Sequence, residues 1–384
     1  MTDFFASIAK NESLRLAEFP VARQQVYLAH AGVCPLPRCV GEAMSDYVQA
    51  AQTHDQETAA GELIEKTRAS LADLLAVHLD EVCLLGSTSN ALSVVAAGFP
   101  FQPGDNVLYY GDDYPSNVYP WVALQERGVE ARSVEVDRLG VITVDDVLRK
   151  VDNRTRLVSL ASCHYLSGFR LDLDEIGFAL RERGVAFCVD GIQSVGAFPT
   201  GLSYVDFMAA DSHKWMLGPC SAGVLYVRRE WQDRLQPTSW GWNNISCPDF
   251  VARDHLEFSL TARKYEPGTA NLVGLAGFAR AVELLRSVGM PQISRTILRM
   301  RASLSERVGV AGYQVIEPRI PEERCGGMLS FTREGSDLNE VMERFAARSV
   351  KASLRQVRDG RQYIRFSPHF YNTDAELDVA VECL

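Results

Sequence analysis

Between residues 186 and 227 the chain carries three short apolar runs, 186–189, 207–210 and 223–227, and the first two end on Asp190 and Asp211. Continuous apolar runs this short, bounded by acids and turn residues, read as buried strands. They predict an open α/β sheet. In such a sheet ligands bind in the crevice outside the carboxyl ends of the strands, so Asp190 and the segment Ser212, His213, Lys214 are expected to face one pocket. A carboxylate and an amine would meet there.

A lone lysine attacks a carbonyl only when unprotonated, and a lone aspartate is merely an anion. Pyridoxal 5'-phosphate gives both a role, since its aldehyde forms a Schiff base with a lysine and its ring nitrogen needs an acidic partner to stay protonated. Without that cofactor the same pair is an exposed lysine and a solvated strand-end acid. The surrounding residues favour the first reading. Asp190, Gly191, Ile192, Gln193, Ser194, Val195, Gly196 and Ala197, then Ser212, His213, Lys214 and Trp215 with Gly218, Pro219 and Gly223, resemble the class V aminotransferase family of fold type I pyridoxal-phosphate enzymes. Its members include cysteine desulfurases, kynureninases and isopenicillin N epimerase. The resemblance implies an α/β fold with a mostly parallel central sheet flanked by helices and a smaller C-terminal α+β domain. It also implies Lys214 as the Schiff-base lysine, Asp190 as partner of the ring nitrogen, Gln193 as partner of the ring hydroxyl, and His213 at the phosphate end or lining the pocket.

Upstream, residues 82–85 read as the first strand of the large domain, followed by Gly86, Ser87, Thr88, Ser89, Asn90 and an apolar helix over 91–97. Free backbone N–H groups and the positive end of a helix make such a junction a phosphate site, and Ser87, Thr88 and Ser89 are the candidates. The same residue types also cap helices that bind nothing. Neither GxGxxG nor GxxxxGKS occurs, which removes the main support for dinucleotide and P-loop readings. Further strands are predicted over 106–110, 130–136 and 157–160, with a helix over 144–151. After the second strand the resemblance sets Tyr114 where the family has a ring stacked on the cofactor, often histidine in desulfurases. Cys163 stands near a position where desulfurases tend to have asparagine, and His164 beside it is a candidate substrate contact. His30, in a segment that passes the mouth of the family's active site, is another.

Beyond the lysine, Trp240, Gly241 and Trp242 form an aromatic loop without a derivable role, and Tyr265 to Asn271 read YEPGTAN. As bare chemistry this is a Pro-Gly turn before a helix. By resemblance Thr269 reaches the phosphate of a partner subunit's cofactor, which implies a homodimer with shared active sites. Helices over 272–288 and 291–308 lead into a smaller domain with a strand over 326–332, a helix over 338–347 and a closing strand over 363–367. That strand carries Arg365 in IRFSPHFYNT, the family position for an arginine that grips the substrate carboxylate with two parallel hydrogen bonds. The expected organisation is a lead-in over 1–25, a large cofactor-binding domain over 26–270 and a small domain over 271–384.

A net charge of −10 with no basic run argues against nucleic acid and anionic membranes as partners. No run of apolar residues reaches the length of a membrane span, and the start, MTDFFASIAKNE, has no basic region followed by an apolar core. Nine scattered cysteines without CxxC spacing read as reduced thiols of a cytoplasmic protein, and seven histidines without an HxxxH pair give no metal site. The expected substrate is an amino acid, bound as a free small molecule. Transamination, racemisation or epimerisation, and lyase chemistry at its α-carbon stay open. A cysteine desulfurase needs a mobile cysteine shortly before the carboxylate-binding arginine, and residues 349–362 contain none. Cys325 lies forty residues before Arg365. A kynureninase-like hydrolase and a non-catalytic binding module of the same fold are the remaining alternatives.

Overall fold

The structure, a computed structural model, describes residues 4–58 and 60–384. Residues 1–3, where the expected lead-in and the reading of the chain's start begin, lie outside the described residues. The rest of the lead-in forms two short helices, Phe4–Lys10 and Glu12–Glu18, the second capped by Asn11, whose side chain accepts from Leu14 N.

Seven strands build the central sheet in the spatial order Val82–Leu85, Gly223–Val227, Phe207–Asp211, Ala186–Asp190, Thr155–Ala161, Asn106–Tyr110, Glu130–Val134. Gly223–Val227 runs antiparallel to both neighbours, and the other pairings are parallel. The reason lies in the connection. Residues 212–222 are too few for the crossover of a dozen or more residues that a parallel return needs, so the chain folds straight back and Asp211 pairs with Gly223. Successive residues of each strand enter different cores: Val82 and Leu84 join Val158, Leu160, Val189 and Met208 on one face, while Cys83 joins Leu157, Cys188, Phe207 and Leu225 on the other. Burial on both faces is what makes these strands continuous apolar runs.

The C-terminal part is a second sheet, ordered Ser353–Gln356, Gln362–Phe366, Leu329–Thr332, Gln314–Val315 and antiparallel throughout. Helices Met290–Val310, Leu338–Ala347 and Asp374–Glu382 close a core of its own around Leu304, Phe331, Phe345 and Phe366. Two segments tie it to the large unit. Val26–Tyr27 pairs in parallel with Val350–Lys351, which carries residues 29–33 along the seam between the sheets. The Leu272–Val288 helix, expected at the hinge, beds Leu275, Phe278, Val282 and Leu285 in the main core. Some predicted elements end early: the strand at 130 stops at Val134, the helix at 144 stops at Leu148, and the strand expected from residue 326 starts at Leu329.

Candidate active site

A cleft of about 630 Å³ opens at the carboxyl ends of the parallel strands, with the C-terminal sheet as its opposite wall. Asp190 and Asp211 enter it because each ends a strand of the parallel group. Asp190 is 3% exposed, and its carboxylate accepts from Ile192 N at 3.0 Å in a turn that carries the chain away from the sheet. Burial raises its pKa, against the pull of that hydrogen bond and of Lys214. Gln193 follows in the same turn. Its amide donates to Ala31 O and accepts from Trp215 Nε1, so it clamps the seam segment to the lysine loop.

The lysine sits in a tight loop between antiparallel strands. Ser212 N donates to Ala222 O, Gly218 N to Ser212 O, and Leu217 N to Lys214 O with Leu217 in the left-handed region at φ 57°. Gly196, at φ 91°, faces this loop so closely that a Cβ would stand 2.6 Å from the Trp215 carbonyl. Any side chain there would push Lys214 out of register. Lys214 is 7% exposed, and its Nζ forms no hydrogen bond among the described residues. Its Nζ stands 5.2 Å from the centroid of the Tyr114 ring. Burial pulls its pKa down to about 8 although Asp190 pulls the other way. At that value roughly a tenth of it is neutral amine at pH 7, far more than for a free lysine, and this is the form that can add to a carbonyl.

Across the cleft, Arg365 is 1% exposed and donates from Nη1 to Tyr165 O at 2.6 Å. Its Nε and Nη2 have no partner. These two N–H groups form one edge of the guanidinium fork, the edge that takes a carboxylate with two parallel bonds. Leaving them bare in a buried place is costly, roughly 1–3 kcal/mol per unsatisfied group. A ligand anion would remove that cost.

The family model for aminotransferase class-V matches residues 26–379, nearly the whole chain. The chain belongs to the class V aminotransferase family. It is 27% identical to a probable cysteine desulfurase of Methanothermobacter thermautotrophicus, over 96% of each chain. Among solved structures it superposes on the cysteine desulfurase of Thermococcus onnurineus with a TM-score of 0.88 at 23% identity, covering 96% of this chain and 95% of that one. It superposes equally well, at 0.88 and 21% identity, on a C-DES variant with glycine covalently linked to its PLP cofactor, covering 96% and 98%.

A class V aminotransferase family enzyme works with pyridoxal 5'-phosphate, and the cleft's own groups fit that cofactor. A buried amine without a hydrogen bond, a buried carboxylate and an unsatisfied guanidinium converge on one space of suitable size. Ser87 caps the Thr88–Gly98 helix by accepting from Asn90 N, and Ser89 donates to Ser116 Oγ at 2.7 Å, both at the cleft margin. The Thr88 hydroxyl accepts from Asp211 N at 2.9 Å, so it braces the strand end while lining the cleft. His213 also lines it, with Nδ1 3.0 Å from Asp211 Oδ2.

Three predicted residues do not line this cleft. His30 is fully buried, donates from Nδ1 to Ser367 O and accepts at Nε2 from Tyr371. It does not face the space where a substrate would lie, because both ring nitrogens are engaged behind the cleft wall, and burial holds it well below the usual histidine range. The same correction applies to His164, which accepts from Ser167 N and donates to Asp112 O, and which burial pulls down to about 4. Thr269 is exposed and lies outside this cleft. Its turn is held from behind by Glu266, which pairs twice with Arg68, at 2.7 and 3.0 Å, and accepts from Leu84 N. Breaking such a buried pair typically costs about 3–5 kcal/mol.

Sequence reading missed Asp113 and Arg355. Asp113 is 7% exposed, accepts from Tyr114 N and Asn117 Nδ2, and is raised to about 7 by burial and by Asp190. It fixes the turn that presents Tyr114. Arg355 lines the cleft beside Arg365, on the strand Ser353–Gln356, which the sequence reading did not place.

Proposed function

We propose that the chain acts at the α-carbon of an amino acid whose carboxylate is held by Arg365, with Lys214 as the group that takes up and returns the proton. The observation that carries this is the bare Nε and Nη2 edge of Arg365 across the cleft from an amine brought to about 8. When bound, the cofactor accepts the electron pair released at the α-carbon. Asp190 supplies the negative charge that favours a protonated ring nitrogen, Tyr114 offers a ring face beside Lys214, and Gln193 and Trp215 hold the lysine loop in place. A proton carrier near pH 8 works well because both of its forms are populated at neutral pH. Borohydride reduction with peptide mapping is the test. The label is expected on Lys214, and a label on another lysine would overturn the assignment.

Desulfuration is the second reading, supported by the names of the relatives. None of the nine cysteines lines the cleft, and where the resemblance to desulfurases calls for a cysteine loop the chain forms a short hairpin closed by Val357 N to Arg361 O. Cys163 and Cys325 are buried, and burial raises both thiols, Cys163 to about 12. Non-persulfide chemistry is therefore preferred.

We also infer a homodimer with composite sites. Thr269 is exposed and reaches nothing in its own cleft, and Trp240, Trp242, Phe250, Val251, Leu256 and Leu260 are exposed in the segment before it. A second copy would cover that apolar surface and receive Thr269 at its cofactor phosphate. Mixing inactive Lys214→Ala and impaired Thr269→Ala chains should then restore part of the activity, and a fully active monomer in sedimentation would end the idea. In the same reading, residues 26–270 form the cofactor unit and 271–384 the substrate-gripping unit. Nine unpaired cysteines favour a cytoplasmic setting, and no described helix is long and apolar enough to cross a membrane.

A further inference from the structure

The C-terminal wall of the cleft carries more positive charge than one α-carboxylate requires. Lys351, Arg355 and Arg365 line it, and no acid from that wall does. In the antiparallel hairpin Ser353 stands opposite Arg365 and Arg355 opposite Tyr363, so the two arginines leave the same face one diagonal step apart. Arg355 extends over Gly32, with Nη2 3.5 Å from the point a Cβ would occupy there. No ion pair, hydrogen bond or ring contact among the described residues engages its guanidinium. Burial and the charge of Arg355 together bring Arg365 down to about 9, still a cation at neutral pH. Two like charges held side by side without an acid repel each other, and one ligand with two anionic groups would relieve both. The cofactor's phosphate does not answer to this pair, because its candidate hydroxyls, Ser87 and Ser89, come from the opposite wall.

We propose that Arg355 is a specificity-determining residue that selects an amino acid with a carboxylate in its side chain, the α-carboxylate lying on Arg365 and the second carboxylate on Arg355. This rests on the reading of the cleft as an amino-acid site. The substrate class is then an amino dicarboxylic acid, with Lys351 at the rim adding to its attraction.

The test uses the holoenzyme and calorimetric binding of diacids that carry no amine, succinate and glutarate, against their monoamides, succinamate and glutaramate. Each monoamide keeps the shape and loses one charge. The diacids should bind at least about tenfold more tightly, as expected for a charge-assisted pair. Arg355→Gln should bring that preference within about twofold, Arg355→Lys should keep part of it, and Arg365→Gln should weaken diacid and monoamide alike. Turnover should follow, with aspartate or glutamate favoured over asparagine or glutamine in kcat/KM by the parent and not by Arg355→Gln. Equal binding of diacid and monoamide by the parent, or a preference that survives Arg355→Gln, would overturn the proposal. So would a variant whose main defect is weaker retention of pyridoxal phosphate. Visible absorbance and the borohydride label on Lys214 report separately on the cofactor reading, so failure there is distinct from failure of diacid selection. Arg355 is partly exposed on an edge strand, and an unchanged melting curve checks that the variant is folded.

Discussion

The two walls of the cleft hold their polar groups in different ways. On the wall of the parallel strands the groups that set the geometry have protein partners, since Gln193 is bound at both ends of its amide, Asp190 accepts from its own turn and Thr88 accepts from Asp211 N, while Lys214 Nζ, Asp211 Oδ1 and His213 Nδ1 stay without a hydrogen bond among the described residues. On the C-terminal wall Arg365 keeps two bare N–H groups, and Arg355 has no bound acid. A wall whose framing groups are braced in advance holds its reactive groups in place for any substrate. An unsatisfied wall gains its partners only when the right ligand enters, so it is the wall suited to choosing substrates. The first should therefore govern turnover and the second affinity.

The largest effect should come from the first wall. Lys214→Ala removes nucleophile and proton carrier together, and turnover should fall by about 10⁴-fold or more, at the upper end for such groups. Stopped-flow uptake of pyridoxal phosphate by the apo-protein should rise with pH around about 8, since desolvation disfavours the charged amine. A midpoint near the free lysine value would mean that burial does not tune this residue. Asp190→Asn should keep the cofactor bound yet lower kcat by about 10²–10³-fold, because an amide cannot hold the ring-nitrogen proton by charge. Unchanged kcat would remove Asp190 from the machinery.

On the second wall, Arg365→Ala should cost about 2–5 kcal/mol in substrate binding, or roughly thirtyfold to several thousandfold in affinity. If kcat fell and affinity held, the division between the walls would be wrong. The smallest effect is expected for Cys325→Ser, less than about twofold in turnover, since that thiol lies outside the cleft and faces Gly326 O. After incubation with cysteine, mass spectrometry should find no added sulfur on any cysteine. A persulfide that forms in the parent and disappears in Cys325→Ser would make this chain a desulfurase of unusual layout.

Local patterns carried much of the architecture. The strands Val82–Leu85, Asn106–Tyr110 and Gly223–Val227 and the helices Leu272–Val288 and Leu338–Ala347 lie where apolar runs and helical spacing place them. Asp190 and Lys214 were legible because strand-end residues next to turns have few places to point. His30 and His164 were not, because a neighbouring motif says which segment passes the cleft and not which way one ring turns. His30 is turned away by Ser367 and Tyr371, partners more than three hundred residues distant.

The sequence by itself determined the periodicities, the strand-end acids, the lysine loop and the family, all of which depend on residues close together in the chain or on a pattern spread along all of it. The tertiary structure alone decided which polar groups are left without partners. Arg365 rests on Tyr165, Gln193 on Ala31, Glu266 on Arg68, and Arg355 on nothing but the cleft. Whether a buried donor is satisfied depends on atoms brought together from distant parts of the chain, and the energy of that satisfaction separates a structural arginine from one that waits for a ligand.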